Sequence, residues 1–170
     1  MSDSVIPTFT RWGFAAAHPE LVTEGENEAF MAISYMIGSM IVFPGNSIDG
    51  KWTINQARGC LRKISDRLDL TLECIRRYYA GQGSPLGETL TRYRDCFALF
   101  DDFSGYVDFF LPQDLVTDNC SAVTIFQPFD DFKTQSVPKD IETYREYRRQ
   151  TIEFIDARNR RIGRHVAASR

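Results

Sequence analysis

Hydrophobic positions recur at helical spacing in two stretches of the chain, and charge placement marks a third helix. After Asp66-Arg67, the residues Leu68, Leu72, Ile75 and Tyr79 follow at steps of four, three and four, with Glu73 and Arg77 facing outward as an i, i+4 pair. The spacing predicts a helix that Gly81-Gln82-Gly83-Ser84-Pro85 stops. A second helix opens after Ser84 with Pro85 at its first position, places Leu86, Leu90, Tyr93, Phe97 and Phe100 on one face, and ends near Asp101-Asp102. A third starts at Ser136-Val137-Pro138, carries Asp140 and Glu142 in its first turn and runs to about Ile162. Arg158, Arg160 and Arg161 fall in its last turns, so acid comes first and base last, as the helix dipole favours. From Glu26 to about Ile37 the run is apolar on most sides, which predicts a buried helix ended by Gly38.

Four stretches read as extended. Val5-Ile6-Pro7-Thr8-Phe9-Thr10-Arg11-Trp12 is β-branched and aromatic with a proline inside, an edge segment expected to pack through Phe9 and Trp12. Met40-Ile41-Val42-Phe43 and Lys51-Trp52-Thr53-Ile54 flank the turn-rich Pro44–Gly50, which predicts a hairpin with a long tip. Val123-Thr124-Ile125-Phe126, ended by Pro128, supplies a further strand or an extended stretch. Residues 103–136 read as irregular, anchored by Phe103, Tyr106, Phe109, Phe110 and Leu115. No repeat or low-complexity linker divides the chain. The expected fold class is therefore α+β: a mainly helical single domain over residues 1–170, with four or five helices around a small β-hairpin near 40–54.

Composition narrows the class. With 170 residues, 43% hydrophobic and 25% charged, the chain is an ordinary globular sequence, and its 13 Phe, 7 Tyr and 2 Trp provide a well-specified core. The start lacks a basic segment followed by an apolar one, and no eighteen residues pass without polar interruption, so neither secretion nor membrane insertion is predicted and a cytoplasmic location is expected. Cys60, Cys74, Cys96 and Cys120 are isolated and read as reduced core thiols, with a catalytic cysteine as the alternative. Two histidines, His18 and His165, leave little for metal chemistry. No metal and no cofactor is predicted.

Charge is segregated. Residues 1–50 carry one basic and six acidic groups and 51–94 carry nine and four; 95–142 carry two and ten, and 143–170 eight and three. Blocks of alternating sign either neutralise one another across helix surfaces or leave a basic binding face.

Two constellations carry candidate chemistry. Gly45, Asn46, Asp49 and Gly50 build a polar loop followed by Lys51, Arg58 and Arg62, a combination of glycine-turn amides and cations able to hold an anion. The plainer reading is a turn whose Asn and Asp bond their own backbone. The loop falls short of a nucleotide-binding P-loop, because Trp52 stands where the metal-binding hydroxyl belongs. Arg58, Arg62, Lys63, Arg67, Arg76 and Arg77, interleaved with Trp52, Tyr78 and Tyr79, have the chemistry of a nucleic-acid face, which Arg145, Arg148, Arg149, Arg158, Arg160, Arg161 and Arg164 could extend. The candidate anion- or partner-binding set is thus Asn46, Asp49, Lys51, Arg58, Arg62, Arg67, Arg76 and Arg77, for a protein or nucleic-acid partner. The acidic residues Asp101, Asp102, Asp108, Asp114, Asp118, Asp130 and Asp131 lack calcium-loop spacing and read as solubilising groups or partners of the basic helices.

The stretches FPGN-x-IDG-xx-TIN-x-ARG over 43–59 and DLTLECIRRYY over 69–79 resemble a family of bacterial proteins of unknown function. The likeness continues through Ser84–Leu90, Gly105–Phe110 and Ala157–Arg161. The resemblance implies longer relatives with a segment upstream of Ser4–Trp12, so that Met1 would mark a short version or a late start. It brings no activity or site with it. Function divides into a non-enzymatic interaction module with a basic helical face, and a phosphoester-directed enzyme. The latter would use the loop around Asn46 to Lys51, or Arg158 with His165, which resembles the Arg-x(4 to 6)-His pattern of the all-helical HEPN ribonucleases.

Overall fold

Seven α-helices carry the described part of the chain, which in this computed structural model comprises residues 2–4, 20 and 23–169. The central one, α3 (Leu68–Tyr79), forms where the four-three-four spacing predicts it. It is buried on every side over Leu68–Ile75, so even Asp69, Thr71 and Glu73 lie inside. The second predicted helix is interrupted: α4 (Gly87–Arg92) and α5 (Arg94–Phe97) meet at Tyr93, whose backbone leaves helical geometry while its hydroxyl donates to the Asn46 carbonyl at 2.8 Å. A 3-10 turn over Ala98–Phe100 follows. Leu86, Leu90, Tyr93 and Phe97 are nonetheless buried together.

Four expectations are corrected. Helix α1 (Glu24–Ser34) opens with a capping box between Thr23 and Glu26, but among its described side chains only Phe30 and Ser34 are buried, because Glu28, Ala29 and Ala32 turn to solvent. Residues 103–110, read as irregular, form α6 (Phe103–Phe110): the Asp102 carboxylate caps it by accepting from the Gly105 amide at 2.8 Å, and Leu111 ends it in left-handed geometry. Helix α7 begins at Ile141, after the cap Asp140, and runs to Ala168. The hairpin near 40–54 does not form. Its Asp-Gly turn does, with positive φ at Asp49 and Gly50 and the Lys51 amide donating to the Ile48 carbonyl at 3.0 Å. Thr53 and Gln56, however, make a second capping box that starts α2 (Ile54–Cys60) where the return strand was expected.

The strand that does form, β2 (Met40–Val42), pairs antiparallel with β1 (Ser2–Ser4) in the register Ser2↔Val42. Val123 makes only an isolated bridge with Val116. The expected edge segment Val5–Trp12 lies outside the described residues. The mainly helical reading holds, with more helices than the four or five expected, because Tyr93 breaks one predicted helix in two and α2 and α6 form where a strand and an irregular stretch were expected.

The core sits where α2, α3 and α4–α6 converge, with α7 laid across it; Ile54, Leu70, Leu72, Leu86, Leu90 and Ile155 are each fully buried. Burying such a side chain contributes roughly 1.5–3 kcal/mol. A run of aromatic contacts from Tyr79 through Phe97 and Tyr106 to Phe110, the last pair with ring centroids 4.7 Å apart, ties α3 to α6.

Candidate functional site

The basic helical face suggested by Arg58 to Arg77 is not a face, because the fold uses most of its cations internally. The Arg58 guanidinium, 1% exposed, pairs with Asp66 at 3.0 Å and donates to Thr71 Oγ1 at 3.1 Å and the Asp66 carbonyl at 2.8 Å. It holds a loop in which Ser65 and Asp66 both have positive φ, a conformation costing on the order of 1 kcal/mol per residue outside glycine. Arg67, fully buried, clasps the Asp69 carboxylate with Nε and a terminal nitrogen, donates to the carbonyl and hydroxyl of Ser136, and lies 5.5 Å over the Tyr147 ring. Burial alone would pull its pKa down; the Asp69 charge prevails and holds it above the usual value. Asp69 also accepts the Phe126 amide at 2.9 Å, so one buried carboxylate links α3 to the 126–136 segment.

Glu73 is shared by the next two cations. Arg76 reaches it at 2.8 and 2.9 Å and Arg77 at 2.7 Å, and these bonds, outweighing burial, hold the carboxyl below its usual range. Arg77 also pairs with Asp131 and stacks 5.0 Å over Phe132. Four of the C-terminal arginines follow the same rule, while Arg160 and Arg164 are exposed. Arg145 and Arg148 engage Glu26, Arg149 engages Glu146 and Glu153, and Arg161 engages Asp114. Opposite charge blocks do meet, at Arg77–Asp131, Arg161–Asp114 and the Glu26 cluster.

Arg158 has a different role. Its buried guanidinium donates to the carbonyls of Phe110 at 2.9 Å and of Gly38 and Met40 at 2.8 Å, bolting α7 to the end of α6 and to the 37–40 turn. Burial draws its pKa down to about 10. The HEPN-like arrangement is therefore not presented: the Arg158 head points into backbone carbonyls, while His165 lies exposed near the end of α7.

The 45–51 loop fares differently. Asn46 and Asp49 are exposed, and α2 starts only at Ile54, so no helix opens at Lys51 as a P-loop requires. Lys51 and Trp52, however, line an open groove of about 430 Å³ together with Ala57, Leu61, Pro85, Glu88 and Arg92. Trp52 is 52% exposed, an unusual state for the largest apolar side chain. Arg92 lies along the groove with one terminal nitrogen donating to the Trp52 carbonyl at 3.1 Å and to Thr89 Oγ1 at 3.2 Å. Its other terminal nitrogen donates to Glu88 Oε1 at 3.2 Å, and the ammonium of Lys51 donates to that same oxygen at 3.3 Å. Arg62 and Lys63 follow Leu61 along the chain, exposed and without an ion pair among the described residues.

Of the predicted site residues, the structure brings Lys51 into this groove; Asn46, Asp49 and Arg62 are exposed and do not line it, and Arg58, Arg67, Arg76 and Arg77 are engaged elsewhere. Glu88 and Arg92 were missed by sequence reasoning, although their i, i+4 spacing was a legible signal. A second concavity of about 310 Å³ lies between residues 127–137 and the start of α7. There Asp130 accepts from the amides of Lys133 and Thr134, and Asp140 caps α7, so its carboxylates are already engaged. No group of His, Cys, Asp and Glu able to hold a metal occurs among the described residues, and no described helix is long and apolar enough to cross a membrane.

The chain belongs to a family of unknown function, DUF6994, whose model matches residues 1–162. No curated protein and no solved structure matches the chain.

Proposed function

We propose that this member of DUF6994 is a non-enzymatic binding module of the bacterial cytoplasm, and that the groove between Lys51-Trp52 and Pro85–Arg92 receives an acidic, aromatic-bearing segment of a partner protein. The observation that carries the reading is a half-exposed Trp52 lining the same groove as the two cations Lys51 and Arg92, in a chain whose other arginines are mostly bound to their own carboxylates and carbonyls. An exposed indole flanked by Lys and Arg offers apolar area and charge together, the combination that anchors protein interfaces. A nucleic acid fits less well. Phosphate backbones are held by a run of several cations, and here Glu88 and Asp49 interrupt the basic residues. Four free cysteines, with Cys74 buried and its thiol pushed up to about 12, suit a reducing compartment.

The test is fluorescence anisotropy with a labelled, end-blocked peptide of alternating glutamate and phenylalanine, against the same peptide with glutamine for glutamate and against a single-stranded RNA. The reading expects saturable binding of the first alone, weakened about tenfold by Trp52→Ala and by rising salt, and unchanged by Arg76→Ala. Binding of the RNA in preference to the peptide, or peptide binding indifferent to both Lys51→Ala and Trp52→Ala, overturns it.

A further inference from the structure

Within the groove, one feature resembles a bound ligand. The Oε1 atom of Glu88 accepts from Lys51 Nζ at 3.3 Å and from Arg92 at 3.2 Å, so a single carboxylate oxygen bridges two cations that come from different elements, 41 positions apart in sequence. The Glu88 side chain is 80% exposed and that of Lys51 57% exposed. Exposed pairs of this kind are weak, because water competes for both ends and ordering two long side chains has an entropic cost. The Arg92 partner is better fixed: its side chain is only 15% exposed and also bonds the Trp52 carbonyl and Thr89. The cation pair is thus anchored on one side, and the carboxylate that bridges it sits on a flexible stem open to solvent.

We infer that Glu88 is a built-in occupant of the groove's anion subsite, and that an incoming carboxylate displaces it to bind between Lys51 and Arg92 with its apolar part against Trp52. The inference rests on the groove reading and sharpens it in two ways. It names the ligand chemistry as a carboxylate joined by a short spacer to an apolar group, and it makes binding self-limited. The external carboxylate replaces the internal one, so the two cations keep a partner in both states and the exchange is nearly balanced electrostatically. What favours the ligand is the apolar area it lays on Trp52, Pro85 and Leu61. A ligand that lacks either the carboxylate or the apolar group gains nothing over Glu88. Removing the internal carboxylate should then strengthen binding, the reverse of what loss of a contact residue does.

The experiment follows the Trp52 indole N–H signal by two-dimensional 15N NMR, in the full chain, during titration with 3-phenylpropanoate and with its uncharged amide. Glu88→Gln keeps the size of the side chain and lies at an exposed position, so folding is not at issue. The expected result is about a three- to fivefold gain in affinity for the phenylpropanoate in Glu88→Gln, with no gain for the amide, and loss of the response in Lys51→Ala. If Glu88→Gln leaves affinity unchanged while Lys51→Ala abolishes it, the displacement inference falls and the groove reading stands. Weaker binding in Glu88→Gln would show that Glu88 organises the cations for the ligand, which also overturns displacement. If neither substitution moves the response, the groove reading falls as well.

Discussion

The amide of Gly38 donates to Oδ1 of Asn159 at 2.7 Å, and a Cβ on Gly38 would stand only 2.5 Å from the carbonyl oxygen of Ile155. Helix α7 therefore presses against the 37–40 turn with no room for a side chain, and Arg158 fastens the same contact by bonding the carbonyls of Gly38 and Met40. The two residues that make the lock, Arg158 and Asn159, lie in a stretch whose basic character suggested a binding face.

Gly38→Ala is expected to destabilise the fold by about 1–3 kcal/mol, since backbone would have to shift. Gly163, on the same helix, has no heavy atom within 4 Å of where a Cβ would stand, so Gly163→Ala is expected to stabilise by roughly 0.5–1 kcal/mol. Urea denaturation of both variants checks the pair, and opposite signs are the expected outcome.

Asp69→Ala removes the carboxylate that clasps Arg67 and receives the Phe126 amide, leaving a buried guanidinium without its counter-charge. The expected loss is about 3–5 kcal/mol. Arg76→Ala breaks a partly exposed pair and leaves Glu73 still bonded by Arg77, so its loss should stay below about 1 kcal/mol. Equilibrium unfolding of the two variants side by side distinguishes the loss of a sole counter-charge from the loss of one of two partners.

Glu26 links pH to stability. Its bond from the Thr23 amide, followed by those from Arg145, lowers its carboxyl from 4.5 to about 2 in the folded chain. A carboxyl with a depressed folded pKa stabilises when ionised, so its contribution is complete above about pH 4.5 and is lost as pH falls towards 2. Thermal melts of the wild type and Glu26→Gln should differ at neutral pH, with the wild type more stable, and converge near pH 2.

The cysteines should differ in reactivity. Burial pushes the Cys74 thiol up to about 12, whereas Cys60 is exposed at the end of α2. Iodoacetamide at pH 8 on the native protein is expected to label Cys60 and spare Cys74, as read by peptide mass mapping.

Much of the fold was legible because periodicity reports burial. Leu68, Leu72 and Ile75 announced α3, and the Glu73–Arg77 pair formed at the predicted spacing, but with Glu73 buried and not on the outside as expected. Two failures have a common cause. Lys51-Trp52-Thr53-Ile54 looked like a strand because its residues are β-capable, but the Thr53–Gln56 capping box decided the local structure. Residues 103–110 looked irregular because acids separate the aromatics, and the cap at Asp102 outweighed that pattern. The site was harder to read. Whether an arginine faces solvent or a carbonyl depends on contacts far apart in sequence, as with Arg158 and Gly38, and no local pattern separates Arg62, which is exposed, from Arg67, which is buried.

In the proposed reading, recognition belongs to the groove between Lys51-Trp52 and Pro85–Arg92 and not to the 58–77 stretch. Backbone 15N chemical-shift mapping with the glutamate–phenylalanine peptide puts the two locations in direct competition. Perturbations are expected to concentrate at Lys51, Trp52, Glu88 and Arg92, with Arg76 and Arg77 unmoved; shifts centred on Arg76 and Arg77 with a silent groove would contradict that reading.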